Sequence, residues 1–258
     1  MKNKSIENQQ FSSLPPQPEI SSLPGIGDLF SRTWQIYKER IWVFLGIMIL
    51  PVFINLGIAL FSGGLFISVS EPERLSPLLT IWLPVMPIFV LTAIIINLWA
   101  PVALLYATKE REEKIRIKES FVRGWHKIIS YSWISFLMGI IIFFGFLLFI
   151  IPGIIFIIWF SLATYVLVAE DLTGTKALSR SKQLVSGNWW KVFWRFSVIT
   201  IIAIVISLII NFISRLAGIP REIDIFSVII LLFFVPFAVT YTFLIYEDLR
   251  KLKESVPI

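Results

Sequence analysis

Along this chain, long unbroken apolar runs alternate with short stretches in which apolar and charged residues recur three and four positions apart. The runs fall at roughly 42–63, 82–107, 131–150, 153–169, 193–214 and 226–246, and none has Asp, Glu, Lys or Arg in its central region. A helix crossing a bilayer needs about 20 predominantly apolar residues, so each run is a candidate span. Only Ile151, Pro152 and Gly153 separate the third run from the fourth, inside an apolar stretch from Ile134 to Ala169. That stretch is too long for one crossing, and its Pro-Gly pair predicts a tight hairpin.

Ahead of the first, third and fifth runs the period changes to that of an amphipathic helix. Ile26, Leu29, Phe30, Thr33, Trp34, Tyr37 and Ile41 share one face, opposite Asp28, Ser31, Arg32, Gln35, Lys38 and Glu39. The second such segment sets Ile117, Phe121, Trp125 and Ile128 against Lys118, Glu119, Arg123, His126 and Lys127. The third sets Ala177, Leu178, Ser181, Leu184 and Val185 against Lys176, Arg180, Lys182 and Gln183. Each carries an Arg ten residues before a Trp: Arg32 and Trp42, Arg123 and Trp133, Arg180 and Trp190. Two of the following hairpins close on matching acidic pairs, Glu170 with Asp171 and Glu247 with Asp248. The expected fold is an all-α, polytopic membrane helical bundle of about six transmembrane helices in three hairpins, each preceded by an amphipathic interfacial helix. Residues 25–250 form this domain, between an N-terminal tail at 1–24 and a short C-terminal tail at 251–258.

Charge fixes the expected orientation. Of the 23 Lys and Arg residues, only Arg74, Arg215 and Arg221 fall on the side opposite both termini. The positive-inside rule then places both termini and the long loops in the cytoplasm, and the protein in the plasma membrane. Trp42, Trp133, Trp189, Trp190 and Trp194 fall at the same ends of the spans, where indole rings settle among headgroups. A composition that is 57% apolar and 16% charged leaves too few polar residues to coat a water-soluble domain, in which roughly 25% are charged. Positive-inside topology accounts for the +6 net charge, so nucleic acid is not an expected partner. Residues 1–19 lack the apolar core of a cleavable signal peptide.

The candidate chemistry is sparse. Cysteine is absent and His126 is the only histidine, so neither a thiolate nucleophile, a His-based dyad nor a Cys/His metal site can be assembled. No cofactor is expected. Arg32, Arg123 and Arg180, with Lys118, Lys127, Lys176 and Lys182, are candidate contacts for anionic phospholipid headgroups or a protein partner; such attraction is about 1 kcal/mol per basic residue. Asn55, Asn97 and Asn211 are the strongly polar side chains deep within the runs and need partners in hydrocarbon.

The segment from Ile151 to Ala163, followed by Val168-Ala-Glu-Asp, Ala177-Leu-Ser-Arg-Ser and Gly187-Asn-Trp-Trp-Lys-Val-Phe, resembles the membrane domain that accompanies some bacterial glycerophosphodiester phosphodiesterases. The stretch Leu29-Phe-Ser-Arg-Thr-Trp with Trp42 is similar to that family as well, and the likeness extends over most of residues 26–250. It implies a bacterial or archaeal cytoplasmic-membrane protein of about six helices. The catalytic barrel of those enzymes has no counterpart here, nor have its metal-binding carboxylates and paired histidines, so the resemblance implies membership and no enzymatic activity. Three functions are therefore expected in descending order: a non-enzymatic module that organises lipids or docks a partner through its basic helices; a transporter or lipid-moving protein in which the three asparagines converge; and an enzyme acting on lipid headgroups through carboxylates such as Glu170 and Asp171.

Overall fold

The computed structural model describes residues 23–70, 75–113, 115–216, 228 and 230–255, and among these every regular element is helical. Residues 1–22, 71–74 with Arg74, 217–227 with Arg221, and 256–258 lie outside the described residues. In chain order the helices are α1 (Ile26–Ser70), α2 (Leu75–Lys109), α3 (Ile117–Trp125), α4 (Ile128–Leu148), α5 (Ile150–Phe160), α6 (Ala163–Glu170), α7 (Gly174–Val185) and α8 (Trp189–Leu216). A π-helical turn at Ile230–Phe234 then leads into α9 (Val235–Glu254). Six helical stretches are long and apolar enough to cross a membrane: Ile26–Ile58, Pro87–Lys109, Ile128–Leu148, Ile150–Glu170, Trp189–Ile213 and Leu232–Glu254. The chain is a multi-pass membrane protein and an all-α helical bundle.

The boundaries depart from the sequence reading in four places. The first amphipathic segment is no separate interfacial helix: α1 runs without a break from Ile26 through the first span, because neither Gly nor Pro interrupts residues 28–45. The second hairpin turns at Phe149, whose extended backbone (φ −164°, ψ 159°) separates α4 from α5, and not at Ile151–Gly153. Pro152 thus sits in the first turn of α5, where its missing N–H would have had no helical partner. Gly145 and Gly153 set the closeness of this crossing, since a Cβ on Gly153 would lie 2.6 Å from the Phe146 ring. The fourth span is broken at Ser161–Leu162, and Ser181 of α7 repairs the break by donating to the Trp159 carbonyl and accepting from the Leu162 N–H. Finally, α9 runs on to Glu254, into the expected C-terminal tail.

The starts of α1, α4 and α8 and the ends of α2, α6 and α9 gather at one end of the bundle, hereafter the charged end. There the three returning spans are mutually packed: α2, α6 and α9 contact one another. Val102–Thr108 of α2 and Thr240–Tyr246 of α9 are buried at every position, and so is Leu162–Val168 except Thr164. About two helical turns buried on all faces can only be the centre of a bundle. The apolar side chains Val102, Leu105, Tyr106, Val166, Leu167, Tyr241 and Leu244 join in one cluster there. The α7 helix lies against this centre, burying Ala177, Leu178, Leu184 and Val185 in protein. A second cluster joins Phe44, Ile47 and Met48 of α1 to Ala100, Ala103 and Leu104 of α2.

Candidate functional site

At the charged end the long basic side chains reach across the bundle. Arg111, just past α2, grips Glu247 of α9 through two bonds of 3.0 Å. Lys109 donates to the Val168 carbonyl of α6 at 2.9 Å, and Tyr246 of α9 donates to Glu170 of α6 at 2.9 Å. Each pair among the three returning spans is thus joined by a polar tie. Outside this inner ring is a second one. Arg32 of α1 donates to both carboxylate oxygens of Asp248, at 3.0 and 3.1 Å. Arg123 of α3 pairs with Glu110, and Arg180 of α7 with Glu170 at 2.9 Å.

The three arginines singled out in the sequence therefore face the protein, each bound to a carboxylate at the end of a returning span. Glu110 holds the Arg123 guanidinium above its usual value, chiefly by their hydrogen bond. All three carboxylates are deep, Asp248 7%, Glu110 11% and Glu170 15% exposed, while Arg32, Arg123 and Arg180 are 36%, 47% and 27% exposed. Pairing a carboxylate as deep as Asp248 matters more than pairing an exposed one, because an unpaired buried charge is costly while a surface pair contributes little. Arg40, 6% exposed, has no carboxylate partner among the described residues and donates to the Arg111 and Ile115 carbonyls, tethering the α2–α3 loop.

The lysines are placed differently. Lys118, Lys176 and Lys182 are exposed, and Lys182 lies over the Trp159 ring at 4.4 Å. Lys127 pairs with Asp171, whose left-handed backbone (φ 58°) ends α6. Around them Trp34, Trp42, Trp125, Trp133, Trp190 and Trp194 are each more than half exposed, forming an indole belt at the charged end. Glu170 and Asp171 are both already bound by basic side chains, and Glu170 also by Tyr246. His126 contacts the Val122 carbonyl of its own helix at 3.1 Å.

The asparagines separate into a pair and a single residue. Asn55 of α1 donates to Asn97 of α2 at 3.1 Å and to the Pro51 carbonyl at 2.7 Å, while Asn97 donates to the Ala93 carbonyl at 2.9 Å. Asn211 bonds Ser207 of its own helix, at 2.7 Å to the carbonyl, and takes no part in that pair. The expected convergence of all three is therefore replaced by a pairing of two.

Sequence reasoning noted the acidic pairs at the hairpin ends but not their partners, and it missed Glu110, Arg111 and Tyr246. The available signal was positional: Glu110-Arg111 ends the first hairpin where Glu170-Asp171 and Glu247-Asp248 end the others. No family model, curated protein or solved structure matches the chain.

Proposed function

We propose that this protein is a non-catalytic module of a bacterial cytoplasmic membrane, with both termini inside, that organises anionic phospholipids around its charged end. The observation that carries this reading is the division of labour among the basic side chains. The arginines are occupied by carboxylates of the bundle, while Lys118, Lys176 and Lys182 remain exposed beside a belt of exposed indoles. An ammonium on a flexible stem suits a diffuse headgroup layer, and a guanidinium fork suits a fixed carboxylate. The lipid-facing role thus belongs to the lysines, and the arginines build the surface that carries them.

The cyclic order of the outer ring supports three internal repeats arranged about a pseudo-threefold axis. Arg123 of the second unit binds Glu110 of the first, Arg180 of the third binds Glu170 of the second, and Arg32 of the first binds Asp248 of the third. Units of one topology around a common axis would pair head to tail in this way, while their packing differs: α1 packs along α2 and α4 along α5, whereas α8 leans on α5 rather than along α9. The test is native mass spectrometry of protein released in mild detergent from its own membrane. Anionic lipid enriched over the bulk, and lost in Lys118→Gln, Lys176→Gln and Lys182→Gln combined, supports the reading. A bulk-like lipid profile overturns it, and a stoichiometric protein companion in its place identifies a docking module.

A further inference from the structure

Among the six spans, α8 has the smallest share buried in protein, with α4 next. These two peripheral helices differ in what they expose. From Phe136 to Leu148, α4 contains no polar side chain, as suits a surface that meets only lipid tails. Between Phe196 and Ile213, α8 contains four: Ser197, Thr200, Ser207 and Asn211. Trp194 and Arg215 stand 21 residues apart, about 31 Å at 1.5 Å per residue, so all four lie within a hydrocarbon layer about 30 Å thick.

The four polar residues share one line along the helix. With Ile204 they recur in alternating steps of three and four residues, at 197, 200, 204, 207 and 211, and this is the 3.5-residue period of a seam between two helices. Every other residue from 196 to 213 is apolar. Thr200, Ile204 and Asn211 are exposed, and Ser197 and Ser207 are half-buried, so the α8–α5 contact leaves the seam open.

Asn211 says what would close it. All three intramembrane asparagines donate an amide hydrogen to the carbonyl four residues earlier: Asn55 to Pro51 at 2.7 Å, Asn97 to Ala93 at 2.9 Å and Asn211 to Ser207 at 2.7 Å. Asn55 places its other hydrogen on Asn97 of the neighbouring helix. Asn211 has only a 3.4 Å contact with the Ser207 hydroxyl of its own helix, and among the described residues its carbonyl oxygen accepts no bond. An amide in hydrocarbon needs both a donor and an acceptor, and a second amide supplies both.

We infer that α8 is the contact of a homodimer, in which the seam from Ser197 to Asn211 meets the same seam of a second copy and the two Asn211 amides pair. Copies inserted in the same direction run their α8 helices parallel, and a two-fold axis along the membrane normal brings equal positions together at equal depth. The contact is self-complementary because each amide is donor and acceptor at once, a match that acyl chains do not offer. The seam is narrow, and Leu208 beside it keeps its exposure to lipid. Headgroup binding at the charged end takes no part in this contact, so the two readings fail separately.

The chain contains no cysteine, so single cysteines report which face of α8 meets a neighbour. In liposomes of phosphatidylethanolamine and phosphatidylglycerol, oxidation is expected to link full-length Ile204→Cys into a dimer. Ile209→Cys, exposed on the opposite side of the helix, is expected to stay monomeric. Asn211→Leu, added to Ile204→Cys, should raise the protein-to-lipid ratio at half-maximal linking about tenfold, the effect of one amide pair. Single-molecule photobleaching of the unsubstituted chain should give two steps at high protein density. Equal linking at the two cysteines, linking indifferent to Asn211→Leu, or one bleaching step at every density overturns the proposal. If Asn211→Leu fails to melt cooperatively, Thr200→Leu alters the same seam without removing an amide, and undiminished linking in that variant overturns the proposal equally.

Discussion

The two halves of this bundle, divided at mid-span, are built on different rules. Near the charged end, α2, α6 and α9 are buried on nearly all faces, cross-tied by Arg111–Glu247, Lys109–Val168 and Tyr246–Glu170. Toward the other end the same chain exposes Ile88 to Ile95, Phe143 to Ile151 and Ile201 to Leu216 along most of their length. Both halves are apolar, so hydrophobicity alone does not distinguish them. In a bilayer, burying Leu against protein gains little over burying it against lipid tails, and close packing and polar ties decide which segments associate. The half that holds together is the one with small residues and hydrogen-bonding side chains: Ala100, Ala103, Ala107, Thr108, Ala163, Ser181 and Thr240 are buried there.

That contrast can be broken at its strongest point first. Arg32→Ala leaves Asp248, 7% exposed, without its partner, and unfolding in detergent is expected about 3–5 kcal/mol easier. The double variant with Asp248→Asn should recover much of that loss; a cycle showing no coupling removes the outer ring as a structural element. Leu167→Ala, in the fully buried stretch of α6, is expected to cost about 2–5 kcal/mol by leaving a cavity. Gly153→Ala forces a methyl group toward the Phe146 ring and should cost about 1–3 kcal/mol, read as a lower melting temperature and faster proteolysis at the Phe149 turn. Smallest is Leu208→Ala on α8, 64% exposed, which is expected to change stability by less than about 0.5 kcal/mol. A loss there as large as at Leu167 would mean that α8 is covered by another subunit and that the comparison is misdrawn.

What the sequence revealed and what it concealed follow the same division. Spans were legible because hydrocarbon demands apolar length, and the six expected runs match the six long apolar helices in order and approximate place. The hairpin at Phe149 was misplaced because Pro-Gly usually marks a turn, whereas here Pro152 starts a helix and the glycines serve the crossing. Arg32, Arg123 and Arg180 were legible as a set but not in their direction. A basic residue on the polar face of an amphipathic helix looks the same in sequence whether its counter-charge is a phosphate or a carboxylate far along the chain, as with Arg32 and Asp248, 216 residues apart. The Asn55–Asn97 pair was anticipated as polar contact, while its separation from Asn211 depended on helix rotation, which the uniform hydropathy of α8 does not encode.

The pairing of Arg32 with Asp248 also bears on how the protein is made. Arg32 emerges from the ribosome 216 residues before Asp248, so this tie cannot form until α9 has been made. During that interval Arg32 has not yet met its carboxylate. The same side chain is then a latch that closes α1 onto α9 only after every helix between them has been made.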